Sequence, residues 1–291
     1  MVANLSYFAL KLIVVTILGD GALCNKITGE FFLMSSTDRE LHTETLVIVP
    51  TYNEADNIDE LLGQLLALPL SLGIVVVDDH SPDGTGEHAD AWARRHPQRV
   101  HVIHRPGKMG LGTAYIAGFE KALKLGASFI MTMDADFSHQ PRYVPQMVDL
   151  ARQQHVVIGS RYVAGGGSHN CTWKRIVLSR AANLFARSLL GLKARDVTAG
   201  FRLYRREVLE TIPLGQVFSS GYSFLVEMLF MCQRRGWSIG EIPIIFEDRR
   251  KGKTKISRQE IFKAQYTVLR LLARRLRGGE PRRPPVPITF S

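Results

Sequence analysis

Cysteine is scarce in this chain of 291 residues: Cys24, Cys171 and Cys232 are odd in number and far apart. Three such residues imply neither a disulfide framework nor a zinc ligand set, and a reducing compartment is the simpler expectation. Asn170-Cys171-Thr172 fits a glycosylation acceptor pattern that matters only in a secreted chain, and it reads as chance. The chain lacks a run of about 18 uninterrupted apolar residues, so no transmembrane helix is expected. Also missing are the Gly-x-x-x-x-Gly-Lys-Ser/Thr of a P-loop and the Gly-x-Ser-x-Gly of a hydrolase nucleophile elbow. Lys108–Ala114 offers two glycines where a dinucleotide fingerprint needs three, and it follows the third candidate strand rather than opening the domain. No internal repeat is found.

What is present is ordinary globular material, 45% hydrophobic and 22% charged, with a net charge of +10 that is unevenly placed. Residues 249–291 carry thirteen Lys or Arg against Glu260 and Glu280, so a nearly neutral body ends in a strongly cationic segment. Such an end suits a polyanionic partner: a membrane surface, a nucleic acid or a phosphorylated substrate. At the other end, Leu5–Leu18 is interrupted by Lys11 and lacks the basic leader and cleavage site of a signal peptide. Met34 begins a polar leader that runs into the first strand, so residues 1–45 are expected to be an extension with an over-extended start, or else a short membrane-associating segment.

Between these ends, strands and helices alternate. Leu46–Val49, Ile74–Val77, Val100–His104, Phe129–Met133 and Val156–Gly159 read as strands. Asn57–Leu68, Gly86–Arg95, Thr113–Leu125 and Val144–Gln153 read as the intervening helices. Uninterrupted apolar strands of this kind belong to a mostly parallel sheet covered on both faces, an α/β architecture. Further on, Gly165-Gly166-Gly167 is expected as a flexible loop or lid, and Arg175–Leu190 as a helix. Asp196–Arg202 is expected to turn into a short strand, Ser223–Arg235 to form a helix and Ile239–Phe246 a strand. Arg258–Arg277 should form an amphipathic helix with Lys263, Thr267, Arg270, Arg274 and Arg277 on one side and Ile261, Val268, Leu272 and Leu276 toward the other. Residues 278–291 are rich in Pro and Gly and are expected to be a disordered tail.

Ligands of such sheets bind outside the carboxyl ends of the strands. Four polar clusters fall there: Pro50–Glu54, Asp78–Thr85, Asp134–His139 and Ser160–Tyr162. Asp134-Ala135-Asp136 stands out, because two carboxylates one residue apart at a strand end can meet one hard divalent cation and leave room for substrate phosphates. Alone, such a pair is more often a turn or cap, and the same holds for Asp78, Asp79 and Asp83; four clusters on one edge reverse this in favour of a ligand site. His139 stands beside the pair but is a poor partner for an oxygen-seeking cation.

Pro50-Thr51-Tyr52-Asn53-Glu54, Val77–Thr85, Gly110–Tyr115 and Met133–Asp136 resemble the inverting glycosyltransferases of family 2, which have the GT-A (Rossmann-like) fold. With Gly159–Tyr162, Ser179–Asn183, Thr198–Arg202 and Asp248-Arg249, the chain is similar to the dolichol-phosphate (polyprenyl-phosphate) mannosyltransferases, over about residues 46–255. The resemblance implies a catalytic domain at 46–257 and a metal, Mg2+ or Mn2+; the helix at 258–277, by its own apolar stripe and cations, is expected to lie on an anionic membrane surface, or else to be a solvated basic face packed on the body. The resemblance also implies GDP-mannose as donor, framed by Pro50, Tyr52, Glu54, Val77 and Asp79, with its diphosphate at Asp134, Ala135 and Asp136. Asp134 and Asp136 would hold the metal, with Ser138 standing where some members place a Gln ligand. Arg161, Arg249 and Lys255 would bind phosphate groups, Arg161, Arg175 and Ser179 the phosphate of a polyprenyl or dolichyl acceptor, and the catalytic set would be Asp136, Arg161, Arg249 and Lys255. His80 replaces a common Gly, and Arg250, Lys251 and Thr254 alter the usual loop before Lys255.

Elementary chemistry agrees with this assignment. Negative charge builds on the departing diphosphate, and a metal with guanidinium groups stabilises it. A lipid monophosphate, with a second pKa near ~6, is largely dianionic at neutral pH, so no general base is required. Asp196 is then either a turn residue or an acceptor-positioning one. The expected setting is the cytoplasmic face of a membrane, peripherally bound, with a membrane-anchored partner subunit left open and nucleic acid not expected, since the cations lack interleaved aromatics. The rival within the class is glucose transfer from UDP-glucose; outside it, a membrane- or nucleic-acid-binding protein without catalysis.

Overall fold

The computed structural model describes residues 43–219, 221–248 and 258–278. The extension before Thr43, the cationic stretch with Arg249 and Lys255, and the tail after Gly278 lie outside the described residues, as do the side chains of Ile261 and Lys263.

The first half is a run of β–α units: β1 (Thr45–Thr51), α1 (Ala55–Leu66), β2 (Leu72–Asp78), α2 (Thr85–Arg95), β3 (Val100–His104), α3 (Leu111–Lys124) and β4 (Phe129–Thr132). After a 3-10 turn at Pro141–Tyr143 come α4 (Val144–Ala151), β5 (Val156–Ser160), β6 (Gly167–His169) and α5 (Trp173–Leu190). The second half adds β7 (Arg202–Arg205), α6 (Arg206–Thr211), α7 (Tyr222–Arg234), β8 (Ile239–Pro243), β9 (Ile245–Glu247) and α8 (Arg258–Leu276). Seven strands form one sheet in the order β3-β2-β1-β4-β7-β5-β8. All neighbours are parallel except β7, which runs antiparallel between β4 and β5.

The strands are apolar at nearly every position because both faces of the sheet are covered. In β1 the alternation is explicit: Leu46 and Ile48 enter a core shared with α3 and α7, while Val47 and Val49 enter a second core with α1 and α4. On the first face α3 lies very close to β1, with Gly118 against Ile48; a Cβ on Gly118 would stand 2.4 Å from Ile48 Cγ2.

Three expectations are corrected. Ile239–Phe246 is not one strand: it breaks at Ile244, so that β8 joins the main sheet while β9 pairs with β6 in a separate two-stranded sheet. The triple glycine is not an open lid, because Gly167 starts β6 and a Cβ on Gly166 would lie 2.5 Å from the Ser160 carbonyl. The backbone crosses there too closely for any side chain. In α8, Thr267 is buried with Val268 and Leu271, whereas Leu276 is exposed. The apolar side is therefore set by packing on α5 and α7 and not by segregation of cations.

Candidate active site

Parallel β1 and β2 end in register, Thr51 opposite Asp78, and β4 ends earlier, Thr132 opposite Ile48; the loops that follow all three lie on the same edge. Two groups of residues sit along it.

At the β1–β2 end, Asp78 is a structural residue. It accepts hydrogen bonds from the Thr51 hydroxyl (2.9 Å), the Ser81 hydroxyl (2.5 Å) and the Ser81 N–H (3.0 Å). Asp83 accepts from the Thr85 N–H and hydroxyl and from the Ala55 N–H, tying the starts of α1 and α2 together. The turn reading is thus right for Asp78 and Asp83. Asp79 is different. Its backbone N–H donates to Thr51, and Arg105 Nη1 lies 2.8 Å from its Oδ1, both side chains nearly fully buried. No N–H points along that line, so Oδ1 keeps acceptor capacity. Burial pushes the Asp79 carboxyl up, and the Arg105 charge opposes this. His80 follows with φ 58, left-handed backbone that suits the Gly it replaces.

Around Asp79, Lys108 Nζ lies 4.5 Å over the Tyr52 ring, and the Glu54 N–H donates to the Thr85 hydroxyl at 2.9 Å. Val77 is wholly buried, so only its backbone faces this edge, and Pro50 is its register partner. The five expected donor residues therefore lie together at the ends of β1 and β2.

At the β4–β5 end the acidic pair lines a cavity of about 580 Å³. Asp136 is buried, and its Oδ1 accepts the Ser138 N–H at 3.1 Å, a return made possible by left-handed Phe137 (φ 59). Asp134 is a third exposed and accepts from the Tyr115 hydroxyl at 3.2 Å. Its backbone N–H donates to His139 Nδ1 (3.3 Å), and burial holds that imidazole below its ordinary pKa, in the neutral form. The ring stacks on Phe201. His139 is thus a wall that shapes the acidic turn. Ala135 is buried between the two acids and does not line the cavity, whereas Ser138 is buried on the cavity lining.

Beyond the acids stands Arg161. Its Nε and Nη2 meet Asp196 Oδ2 and Oδ1 at 2.7 and 2.8 Å, its N–H donates to Oδ2 at 3.0 Å, and Nη2 also donates to Thr198 Oγ1 at 2.9 Å. Although burial works against both charges, each partner holds the other ionised: Arg161 is raised above its ordinary value and Asp196 lowered below its own. Asp196 thus holds the Arg161 guanidinium and backbone N–H in one orientation. Arg175 pairs with Asp248, and Ser179 shares a 2.8 Å hydrogen bond with the Tyr162 hydroxyl; both line the cavity. From these polar groups the cavity continues along an apolar wall that includes Ile176, Phe185, Val226 and Val268.

Three contributors were not foreseen. Tyr115 lay within a quoted motif without a role, Arg105 carried no motif at all, and Thr198 sat in a turn.

The model of the family described as glycosyl transferase family 2 matches residues 46–213. The chain is 46% identical over 225 residues to the polyprenol monophosphomannose synthase of Mycolicibacterium smegmatis, covering 77% of this chain and 85% of that protein. It is 45% identical over 212 residues to the undecaprenyl-phosphate mannosyltransferase of Micrococcus luteus, covering 73% and 87%. Among solved structures, glucosyl-3-phosphoglycerate synthase from Mycobacterium tuberculosis with Mn2+, UDP and glucosyl-3-phosphoglycerate aligns with a TM-score of 0.58 at 18% identity, covering 79% of this chain and 80% of that one. The mannosyltransferase PcManGT from Pyrobaculum calidifontis with GDP-Man and Mn2+ aligns at 0.52 and 19% identity, covering 81% and 65%. At these identities the solved structures are similar in fold.

Proposed function

Because the chain belongs to glycosyl transferase family 2, we propose that it transfers mannose from GDP-mannose to the phosphate of a polyprenyl monophosphate, with inversion. The observation that carries this reading is the cavity itself: two carboxylates and two guanidinium groups at one end, and an aliphatic wall leading away from them. A prenyl chain with a phosphate head has that distribution of polarity.

A divalent metal fits the residues present. Asp134 and Asp136 offer oxygen donors on one wall, and Gly200 keeps the approach narrow but open, since a Cβ there would lie 3.8 Å from Asp134 Oδ1. Two carboxylates leave the remaining positions of Mg2+ or Mn2+ to substrate phosphates and water. When bound, the metal would supply charge stabilisation for the leaving diphosphate.

The protein's own residues do the rest. Asp79, Tyr52 and Glu54, with the backbone at Pro50 and Val77, receive the nucleoside. The acceptor phosphate oxygen forms its bond to the anomeric carbon as the bond to the nucleoside diphosphate breaks. Arg161, fixed by Asp196, presents its charge in one orientation. Arg175 is held by a partly exposed ion pair with Asp248, which a phosphate dianion can displace, since such pairs contribute only about 0–1 kcal/mol. Ser179 completes the acceptor end, and Arg249 and Lys255 add cations to the departing diphosphate. No residue is needed as a general base, because the dianionic acceptor has no proton to lose.

The acceptor being a membrane lipid, the enzyme would work peripherally on the cytoplasmic face of a membrane; no helix among the described residues is long and apolar enough to cross one. The test is direct: purified protein, labelled GDP-mannose or UDP-glucose, Mg2+ or Mn2+, and a short polyprenyl phosphate. Chloroform-soluble mannolipid from GDP-mannose is expected. Product from UDP-glucose alone would replace the donor, and no product from either would end the reading.

A further inference from the structure

Among the described residues, three buried side-chain atoms have no hydrogen-bond partner: Asp79 Oδ1, Ser223 Oγ and Glu227 Oε1. Buried polar atoms in folded proteins are nearly always paired, so each exception needs a reason. Asp79 belongs to the nucleoside end already described. The other two lie one turn apart on α7, and they differ. Glu227 is wholly buried and does not line the cavity. Its Oε2 accepts the Ser219 N–H at 3.0 Å and also the Ser219 hydroxyl, which ties the segment before α7 to the helix. Arg270 of α8 lies 3.8 Å over the Phe218 ring of that same segment. Glu227 therefore has a structural use.

Ser223 has no such use. It is 3% exposed and lines the cavity. It is not a helix cap either, since Gly221 stands at the N-cap and no side chain caps α7. Its place is fixed by its neighbour in the chain. Phe224 stacks on Tyr115 with ring centroids 5.8 Å apart, and the Tyr115 hydroxyl meets Asp134 at 3.2 Å. Phe224 also packs so closely on α3 that a Cβ on Gly112 would lie 3.0 Å from its Cδ2. Ser223 is thus held near the acidic pair with its hydroxyl uncommitted.

The wall around it is neutral. Residues 111–119 of α3 and 222–233 of α7 contain no charged residue apart from buried Glu227. Among the described residues, the cations of the cavity are Arg161 and Arg175, which come from the end of β5 and from α5. A phosphate laid against the α3–α7 wall would find no cation on it, whereas a sugar hydroxyl needs none. A serine hydroxyl both donates and accepts, and so matches a group that does the same.

We propose that Ser223 is a specificity residue for the donor sugar: its hydroxyl holds one hydroxyl of the transferred hexose against the α3–α7 wall, beside the carboxylates proposed to hold the metal. This deepens the reading of the chain as a nucleotide-sugar transferase and rests on it. Small-molecule sites draw their specificity from a few placed polar groups on otherwise apolar walls. Here Leu111, Leu225 and Val226 supply the apolar part. A donor that lacks the matching hydroxyl leaves Ser223 unpaired and is bound less well.

The experiment is calorimetric titration with Mn2+ and no acceptor, comparing GDP, GDP-mannose and its 2-, 3-, 4- and 6-deoxy analogues on the parent and on Ser223→Ala. The parent should bind one of the deoxy donors about tenfold more weakly than GDP-mannose. Ser223→Ala should bind GDP as the parent does, lose about tenfold on GDP-mannose, and lose nothing further on that same analogue. Its thermal midpoint without ligand should match or exceed that of the parent, because the change removes a buried hydroxyl that has no partner. That result also shows that the variant is folded. Equal losses on GDP and GDP-mannose would make the bound group a phosphate and overturn the proposal. No loss on either overturns it too, as does a loss in the variant that is independent of every deoxy position. A parent that binds neither GDP nor GDP-mannose ends the reading of the donor together with the subsite. A parent that binds GDP-mannose with independent losses ends the subsite alone.

Discussion

Asp196 grips Arg161 with both carboxylate oxygens, 2.7 Å to Nε and 2.8 Å to Nη2, across 35 residues of sequence. Asp196 is fully buried, so the pair is a fixed charge device and not a surface contact. Asp196→Asn should cost about 3 kcal/mol in urea unfolding, because it strands a largely buried guanidinium. The lowered carboxyl contributes stability that is complete above about pH 4 and is lost as pH falls through its folded value, so the deficit of the variant should shrink only in strong acid. Transfer should fall in parallel at every pH. A limb of the pH–rate profile that vanished in Asp196→Asn would instead make this residue a base.

Asp136→Asn keeps the shape of the acidic turn, since the amide oxygen can still accept the Ser138 N–H now donated at 3.1 Å. It removes one of the two charges proposed to hold the metal. Transfer should fall on the order of 10²-fold or more, with a raised requirement for Mn2+ in a metal titration and little change in thermal unfolding without metal. Activity near the parent level would remove Asp136 from the site.

Arg105 joins three elements: its N–H donates to the Asp78 carbonyl at 2.8 Å, Nη2 donates to Thr113 at 2.6 Å, and Nη1 faces Asp79. Burial already raises the Asp79 carboxyl, Asp78 raises it further, and Arg105 and Lys108 restrain it. In Arg105→Gln the carboxyl rises again, so it takes up a proton at a higher pH than in the parent. If ionised Asp79 accepts an N–H of the donor base, KM for the donor should rise more at a mildly acidic pH than at a mildly alkaline one, with kcat little affected. Arg105→Lys should recover part of the loss. A KM increase equal at both pH values would mark Arg105 as merely structural.

The parallel half of the fold was legible because β1, β2, β4 and β5 are buried on both faces and so remain apolar at each step. β7 was harder to read, since Arg202-Leu203-Tyr204-Arg205 has the look of an exposed edge. In fact Arg202 is fully buried and donates to the carbonyls of Val197, Ala199 and Leu225, an arrangement that no local pattern announces. The site divides in the same way. Asp134 and Asp136 are adjacent in sequence and stand out at a strand end, whereas the Arg161–Asp196 and Tyr162–Ser179 contacts exist only after β5, α5 and the turn before β7 are assembled. Side chains that act through a distant partner leave no spacing to detect.

The close approach of α3 to β1 gives the last prediction. Gly118 lies in the middle of α3, where Ala is ordinarily favoured by about 1 kcal/mol. Here the sign should reverse, because a Cβ would stand 2.4 Å from Ile48 Cγ2 and 3.0 Å from its Cδ1, with Ile48 fully buried in β1. Gly118→Ala should destabilise by about 2 kcal/mol in urea unfolding, the usual penalty of an overpacked core. Adding Ile48→Ala frees the volume, so the double variant should be more stable than the sum of the single losses. The effect reaches the site through α3 itself: Tyr115, one turn earlier, carries the hydroxyl that meets Asp134 at 3.2 Å. A helix pushed off β1 draws that hydroxyl away from the acidic pair. Gly118→Ala should therefore also lose transfer at temperatures where it remains folded, and the same Ile48→Ala change should restore part of it. Loss of stability with full activity would uncouple α3 from the acidic turn.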